Sequence, residues 1–195
     1  MQIVLGVILV LSAAAVATAG PLDGPGAVKA MNCAACHGPA GQSPSTTMPI
    51  LAGMNAAYFK KAIADYATGR RPSPEMEPYA KQVRELGVDD IAAYFAAQKR
   101  EPTRVKVDAA AVSRGRAAST PCAQCHGPRG EGDVAKGVPD LRGQSPGYLR
   151  DQMILFKQDR RSPGDEQLKA LKTVMRGIPE ESFTDLAAYF SSQGR

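Results

Sequence analysis

The chain has 195 residues, 44% of them hydrophobic and 22% charged, with no tryptophan and a formal net charge of +5. That hydrophobic share excludes a disordered chain, and the length fits one medium domain or two small ones. Lys and Arg exceed Asp and Glu by 10 to 8 in residues 20–105 and by 14 to 11 in 106–195; so even a spread excludes the basic stripe of a nucleic-acid binder and suits a soluble surface or brief docking to an acidic partner.

Residues 1–19 open the chain with an uncharged apolar run, Ile3 to Val16, followed by Ala17-Thr18-Ala19. A small-x-small triplet after such a run has the form of a signal-peptidase site, so residues 1–19 are expected to be a secretory signal peptide and the mature protein to be periplasmic. No Lys or Arg precedes the run, which leaves a retained anchor as the alternative. As a membrane span it is short, since spanning takes roughly 20 apolar residues. No later stretch is apolar enough to span a bilayer, so the mature chain is expected to be soluble or in peripheral membrane contact.

Next comes Asn32-Cys33-Ala34-Ala35-Cys36-His37-Gly38-Pro39. A Cys-x-x-Cys-His run is the attachment signature of c-type haem. Two thiols three residues apart on one helical turn reach the two vinyl groups of a porphyrin, and the adjacent histidine ligates the iron. The Gly- and Pro-rich stretch 38–53 reads as a loop. Asn55 then caps a helix expected to turn Ala57, Tyr58, Ile63 and Tyr66 inward. Met76 lies between Pro74 and Pro78, 18 residues ahead of Tyr94. The unit ends in a helix carrying Asp90-Ile91-Ala92-Ala93-Tyr94-Phe95, with acidic residues in its first turns, where the helix dipole favours them. The charged stretch Lys99 to Lys106 contains Pro102 and has no apolar period, so it reads as a linker.

The same series then recurs. Pro121-Cys122-Ala123-Gln124-Cys125-His126-Gly127-Pro128 matches the first motif, Pro139-Asp140-Leu141-Arg142-Gly143 matches Pro49-Ile50-Leu51-Ala52-Gly53, and Tyr148 matches Tyr58. Arg160-Arg161 matches Arg70-Arg71, and Asp185 to Phe190 matches Asp90 to Phe95. Tyr148, Met153, Leu155 and Phe156 are the expected inward face of the second long helix. The expected division is signal 1–19, first domain 20–99, linker 100–110 and second domain 111–195. Units of about 80 residues are small for a core of side chains alone, and covalently held cofactors are the staple the four cysteines suggest.

Disulfides, a zinc site and a redox dithiol compete for those cysteines. Each leaves a histidine directly after both pairs unexplained. The chain has two histidines and four cysteines, all within the motifs. Bis-histidine ligation is therefore excluded, as is a catalytic haem with a cysteine thiolate ligand. The sixth ligand must be methionine, lysine, a weaker donor or nothing.

These features resemble the periplasmic dihaem cytochromes c of the cytochrome c4 type, and the related dihaem subunit of flavocytochrome c sulfide dehydrogenase. The resemblance spans residues 26–194 and rests on both haem motifs, the Pro-x-Leu-x-Gly loops, the Tyr-led helices ending in Arg-Arg, and the terminal Ala-Ala-Tyr-Phe helices. It implies an all-α fold of two class I cytochrome c domains packed face to face, each wrapped around a covalently bound haem c. It implies a distal methionine shortly before each last helix. Met76 occupies that register for the first iron, with Met48 and Met54 as fallbacks. In the second copy the register falls on Leu171, so Met175 is the first candidate and Lys169 or Lys172 the alternatives. A thioether ligand raises the potential and an amine would lower it.

The function implied is an electron carrier rather than an enzyme. Its expected partners are redox proteins: a periplasmic dehydrogenase or membrane respiratory complex as donor, and a terminal oxidase or other acceptor. The alternative is the cytochrome subunit of a sulfide- or thiosulfate-oxidising dehydrogenase.

Overall fold

A computed structural model of the chain describes residues 24–194; the expected signal segment lies outside them. The first unit contains α1 (Ala27–Ala30), α2 (Ala34–His37), α3 (Ala56–Ala67), α4 (Met76–Leu86) and α5 (Val88–Ala97). The second contains α6 (Ala109–Ala118), α7 (Thr120–His126), α8 (Pro146–Lys157), α9 (Lys169–Gly177) and α10 (Ser182–Ser192). The described residues contain no strand, only an isolated bridge between Asp133 and Val138. The expected all-α fold is what these residues form.

Each unit has its own core. In the first, Phe59, Ile63 and Tyr66 of α3 pack with Ala80 and Val83 of α4 and with Ile91, Tyr94 and Phe95 of α5. In the second, Tyr148, Leu149 and Phe156 of α8 meet Met175, Phe183, Leu186 and Phe190. The side chain of Asn55 accepts from the Tyr58 amide at 2.9 Å and caps α3. The inward face of α3 differs from expectation at Ala57 and Tyr58. Ala57 is exposed and Phe59 buried, because the stripe that meets α4 and α5 runs through Phe59, Ile63 and Tyr66 at helical spacing. Tyr58 faces the second unit instead.

The terminal helices cross at a glycine in both units. α1 meets α5 at Gly26, where an added Cβ would lie 2.1 Å from the Asp90 carbonyl oxygen. α6 lies along α10, and a Cβ on Gly115 would come 2.0 Å from the Asp185 carbonyl oxygen. Side chains cannot fit there, so backbone rests on backbone. Ion pairs flank both crossings: Lys29 with Asp90, and Arg114 with Asp185 through two bonds of 2.7 and 2.8 Å.

The joint between the units is polar. The Gln144 side chain donates to the Ile50 carbonyl at 2.9 Å and accepts from its amide at 2.7 Å. Ser145 donates to the Met48 carbonyl at 2.8 Å, and Ser162 to Asp65 at 2.6 Å. The connector between α5 and α6 has no regular structure but is pinned: the Thr103 amide donates to the Gly143 carbonyl at 2.7 Å, and Gln42 bonds the Glu101 backbone in both directions.

Candidate haem sites

Both motifs form the final turns of short helices that end at a glycine with positive φ, Gly38 at 74° and Gly127 at 77°. That conformation is strained for any side chain. The chain then doubles back, held where the Leu51 amide donates to the Gly41 carbonyl and the Leu141 amide to the Gly130 carbonyl, both at 2.8 Å. This return places a proline carbonyl against each motif histidine. Nδ1 of His37 donates to the Pro49 carbonyl at 2.8 Å, and Nδ1 of His126 to the Pro139 carbonyl at 3.0 Å. A carbonyl can only accept, so the proton sits on Nδ1 and the Nε2 lone pair is free for a metal. Burial lowers the pKa of both imidazoles, outweighing the opposing pull of the proline carbonyls, which keeps them neutral and able to ligate.

Each motif opens on its own cavity. The N-terminal cavity, about 490 Å³, has Cys33, Cys36, His37 and Met76 in its wall. The C-terminal cavity, about 780 Å³, has Cys122, Cys125, His126 and Met175. Both volumes lie in the range of about 300–1,000 Å³ typical of cofactor sites. Two thiols, one imidazole and a thioether around an apolar chamber fit a covalently attached haem, and no such chamber would be needed for a disulfide or a zinc ion. Among the described residues no three His, Cys, Asp or Glu gather as a metal cluster. None of the four cysteines is paired in a disulfide. Burial pushes the Cys33 thiol up and that of Cys122 to about 11.

The other candidate ligands are placed as follows. Met48 lines the N-terminal cavity and Met54 lines both. Met153 lines the C-terminal cavity. Lys169 is exposed and paired with Glu166 at 3.3 Å. Lys172 is buried, bonded to Asp159 and to the Ser162 carbonyl, each at 2.6 Å. Neither lysine is in a cavity wall. Met76 begins α4, whereas Met175 lies near the end of α9, so the two methionines reach their cavities from opposite ends of corresponding helices.

Between the cavities sits a network that sequence reasoning passed over. Arg71 donates to the Tyr148 hydroxyl at 2.8 Å and to Gln152 at 3.1 Å. Arg161 donates to the Tyr58 hydroxyl at 2.8 Å and to Gln152 at 2.9 Å. Each arginine thus reaches the tyrosine of the other unit, and Tyr58, Tyr148 and Gln152 belong to both cavity walls. Burial works to raise the Tyr58 pKa, but the charges of Arg161 and Arg71 outweigh it and hold the phenol down to about 7. The repeated Arg-Arg pair was visible; its crosswise bonding depends on how the units pack.

The family model described as cytochrome c matches residues 22–97 and again 112–194. Cytochrome c4 of Pseudomonas aeruginosa is 30% identical, over 96% of each chain. The thiosulfate dehydrogenase electron acceptor of Stutzerimonas stutzeri is 32% identical, over 85% of this chain and 81% of that protein. Among solved structures, reduced cytochrome c4 from Pseudomonas stutzeri superposes with a TM-score of 0.79 at 28% identity, covering 90% of this chain and all of that one. Thiosulfate dehydrogenase from Marichromatium purpuratum superposes with a TM-score of 0.72 at 28% identity, covering 83% of this chain and 36% of that one.

Proposed function

This chain belongs to the cytochrome c family as a dihaem electron carrier of the cytochrome c4 type, and from that premise we propose that it shuttles single electrons in the periplasm between a respiratory complex or dehydrogenase and a terminal oxidase. When bound, each haem c supplies the one-electron redox chemistry. The protein's residues do the rest. Cys33 and Cys36, and Cys122 and Cys125, tether the two porphyrins. His37 and His126 supply the proximal imidazoles, oriented by Pro49 and Pro139.

Met76 and Met175 are the proposed sixth ligands. Met48 immediately precedes Pro49, whose carbonyl accepts from His37, so its backbone is tied to the histidine side of the cavity. Met54 is shared by both walls and dedicated to neither. Lys169 and Lys172 are occupied by Glu166 and Asp159. The same reading divides the chain into domains 20–99 and 111–195 about the linker 100–110.

The observation that carries the carrier role is that the two cavities share Tyr58, Tyr148 and Gln152, which puts the two redox centres side by side. Contacts with partners should be small, brief and sensitive to salt, as carriers require. The test is stopped-flow mixing of the reduced protein with membranes of its source organism. Reoxidation that slows with rising salt and stops with an oxidase inhibitor is expected; no reoxidation overturns the oxidase assignment. A subordinate reading, favoured by the likeness to thiosulfate dehydrogenase electron acceptors, makes a thiosulfate-oxidising enzyme the donor. Rapid reduction by thiosulfate plus that enzyme, but not by thiosulfate alone, would select it.

A further inference from the structure

Three buried side-chain nitrogen atoms have no hydrogen-bond partner among the described residues: Nε and Nη2 of Arg100 and Nε of Arg161. Both guanidinium groups are in the wall of the C-terminal cavity. Buried donors are almost always satisfied, and a buried charge needs a counter-charge. Arg161 uses its other nitrogens on Gln152 and Tyr58. Arg100 makes one bond, from Nη1 to the Asp140 carbonyl at 3.1 Å. The charge of the Asp140 carboxylate is felt by Arg100, but its oxygens make no bond to it: they accept from Arg142, at 3.1 and 2.8 Å. A guanidinium stays charged even when burial works against it. Asp140 also follows Pro139, whose carbonyl holds His126. Arg100 therefore reaches from the connector behind the first unit to the proximal loop of the second, carrying a charge and a two-pronged donor set with no acceptor. The arginine in the wall of the N-terminal cavity, Arg71, is by contrast bonded to Tyr148 and Gln152.

Resting on the dihaem reading, we propose that Arg100 is a carboxylate-binding residue of the second haem site, its Nε and Nη2 donating to a propionate of the haem held by Cys122, Cys125 and His126, with Nε of Arg161 as a further donor. Guanidinium forks suit carboxylates because two parallel bonds form at once. The connector thus contributes a fixed positive charge to the centre of the second unit. A positive charge beside a haem favours its reduced form, so Arg100 raises the potential of that haem alone. The two centres then differ through side-chain charge even where both have histidine and methionine ligands.

The experiment compares wild type, Arg100→Gln and Arg100→Lys as purified dihaem proteins, by redox titration with each step assigned through NMR of the haem methyl groups. In Arg100→Gln the second haem should shift toward oxidation by about tenfold, which a one-electron couple reports as about 59 mV. Arg100→Lys, which keeps the charge, should stay within about threefold of wild type. The first haem should not move. Unchanged potentials in a two-haem Arg100→Gln protein, or an equal shift of both haems, would overturn the proposal. A polypeptide mass lacking haem would instead overturn the dihaem reading. Should the variants fail to mature, the wild-type protein decides: a slowly exchanging Arg100 Nε–H that shifts on oxidation of the second haem supports the proposal, and a freely exchanging, redox-insensitive one defeats it.

Discussion

Replacing Gly115 by alanine tests the crossing of α6 and α10 that closes the second unit. The new Cβ would lie 2.0 Å from the Asp185 carbonyl oxygen, 2.5 Å from its carbon and 2.8 Å from the Tyr189 Cβ. Ordinary contact begins at 3.4 Å, so the first clash alone demands a retreat of 1.4 Å. Two of those atoms are backbone and the third is a Cβ, so no side-chain rotation gives relief and a whole helix must move. Overpacking of this kind costs about 3 kcal/mol or somewhat more. Alanine recovers about 1 kcal/mol of helix propensity. The net loss is therefore about 2 kcal/mol, which for a unit of this size lowers the melting temperature by roughly 8–16 °C. Gly177, near the end of α9, is the control, because nothing lies within 4 Å of its added Cβ; Gly177→Ala should be neutral or slightly stabilising. Thermal unfolding of the purified dihaem protein, followed in the far ultraviolet and at the haem absorption band, measures both. If Gly115→Ala melts within 2 °C of wild type, the helices do not rest on bare backbone and the packing argument is wrong.

Met175→Leu should halve the near-infrared sulfur-to-iron absorption and lower one of the two potentials, because a thioether ligand raises the potential; Lys172→Gln should leave the absorption intact, and the reverse pattern would make lysine the ligand. Tyr58→Phe removes the acceptor of a buried Arg161 bond, at a cost of about 1–3 kcal/mol. Calorimetry should show the two units losing cooperativity, and an unaltered profile would mean that the crosswise bonds contribute nothing. Hydrogen bonds from Arg114 hold the Asp185 carboxyl below the usual carboxylate range. A depressed folded-state pKa gives stability that is present above the unfolded value, about pH 4, and is lost as the pH falls through the folded one. The stability difference between wild type and Arg114→Gln should therefore be constant near neutrality and close below about pH 4; a difference that persists in acid would assign it to packing of the arginine stem.

What the residues disclosed unaided was the part governed by short spacing. Both pentapeptides, the repeat, the Asn55 cap and the helical fold depend on neighbours within a few positions. The Pro-x-Leu-x-Gly loops were recognised as repeated, but their task, a carbonyl against each histidine, requires the chain to fold back over 12 or 13 residues. Gly26 and Gly115 each stand seven residues before the first cysteine of a motif. That equal offset was a usable signal, and it was missed because a glycine in or beside a short helix reads locally as a weak position. Helices α4 and α9 were hidden by prolines at one end and by a charged, amphipathic pattern. The roles of Gln144 and Arg100 could not be read at all, and Arg161 was visible only as half of a repeated pair. Their partners lie 94, 40 and 103 residues away, across the joint between the two copies.

The side-chain amide of Gln144 grips both backbone groups of Ile50, one donating and one accepting, as a neighbouring β-strand would. Such a clasp resists sliding as well as separation, unlike an oily contact, which permits both. Electron hops across this joint should consequently be indifferent to solvent viscosity, since no swivelling of one half must precede them. Rates that tracked added glycerol would indicate a hinge where the geometry has a weld.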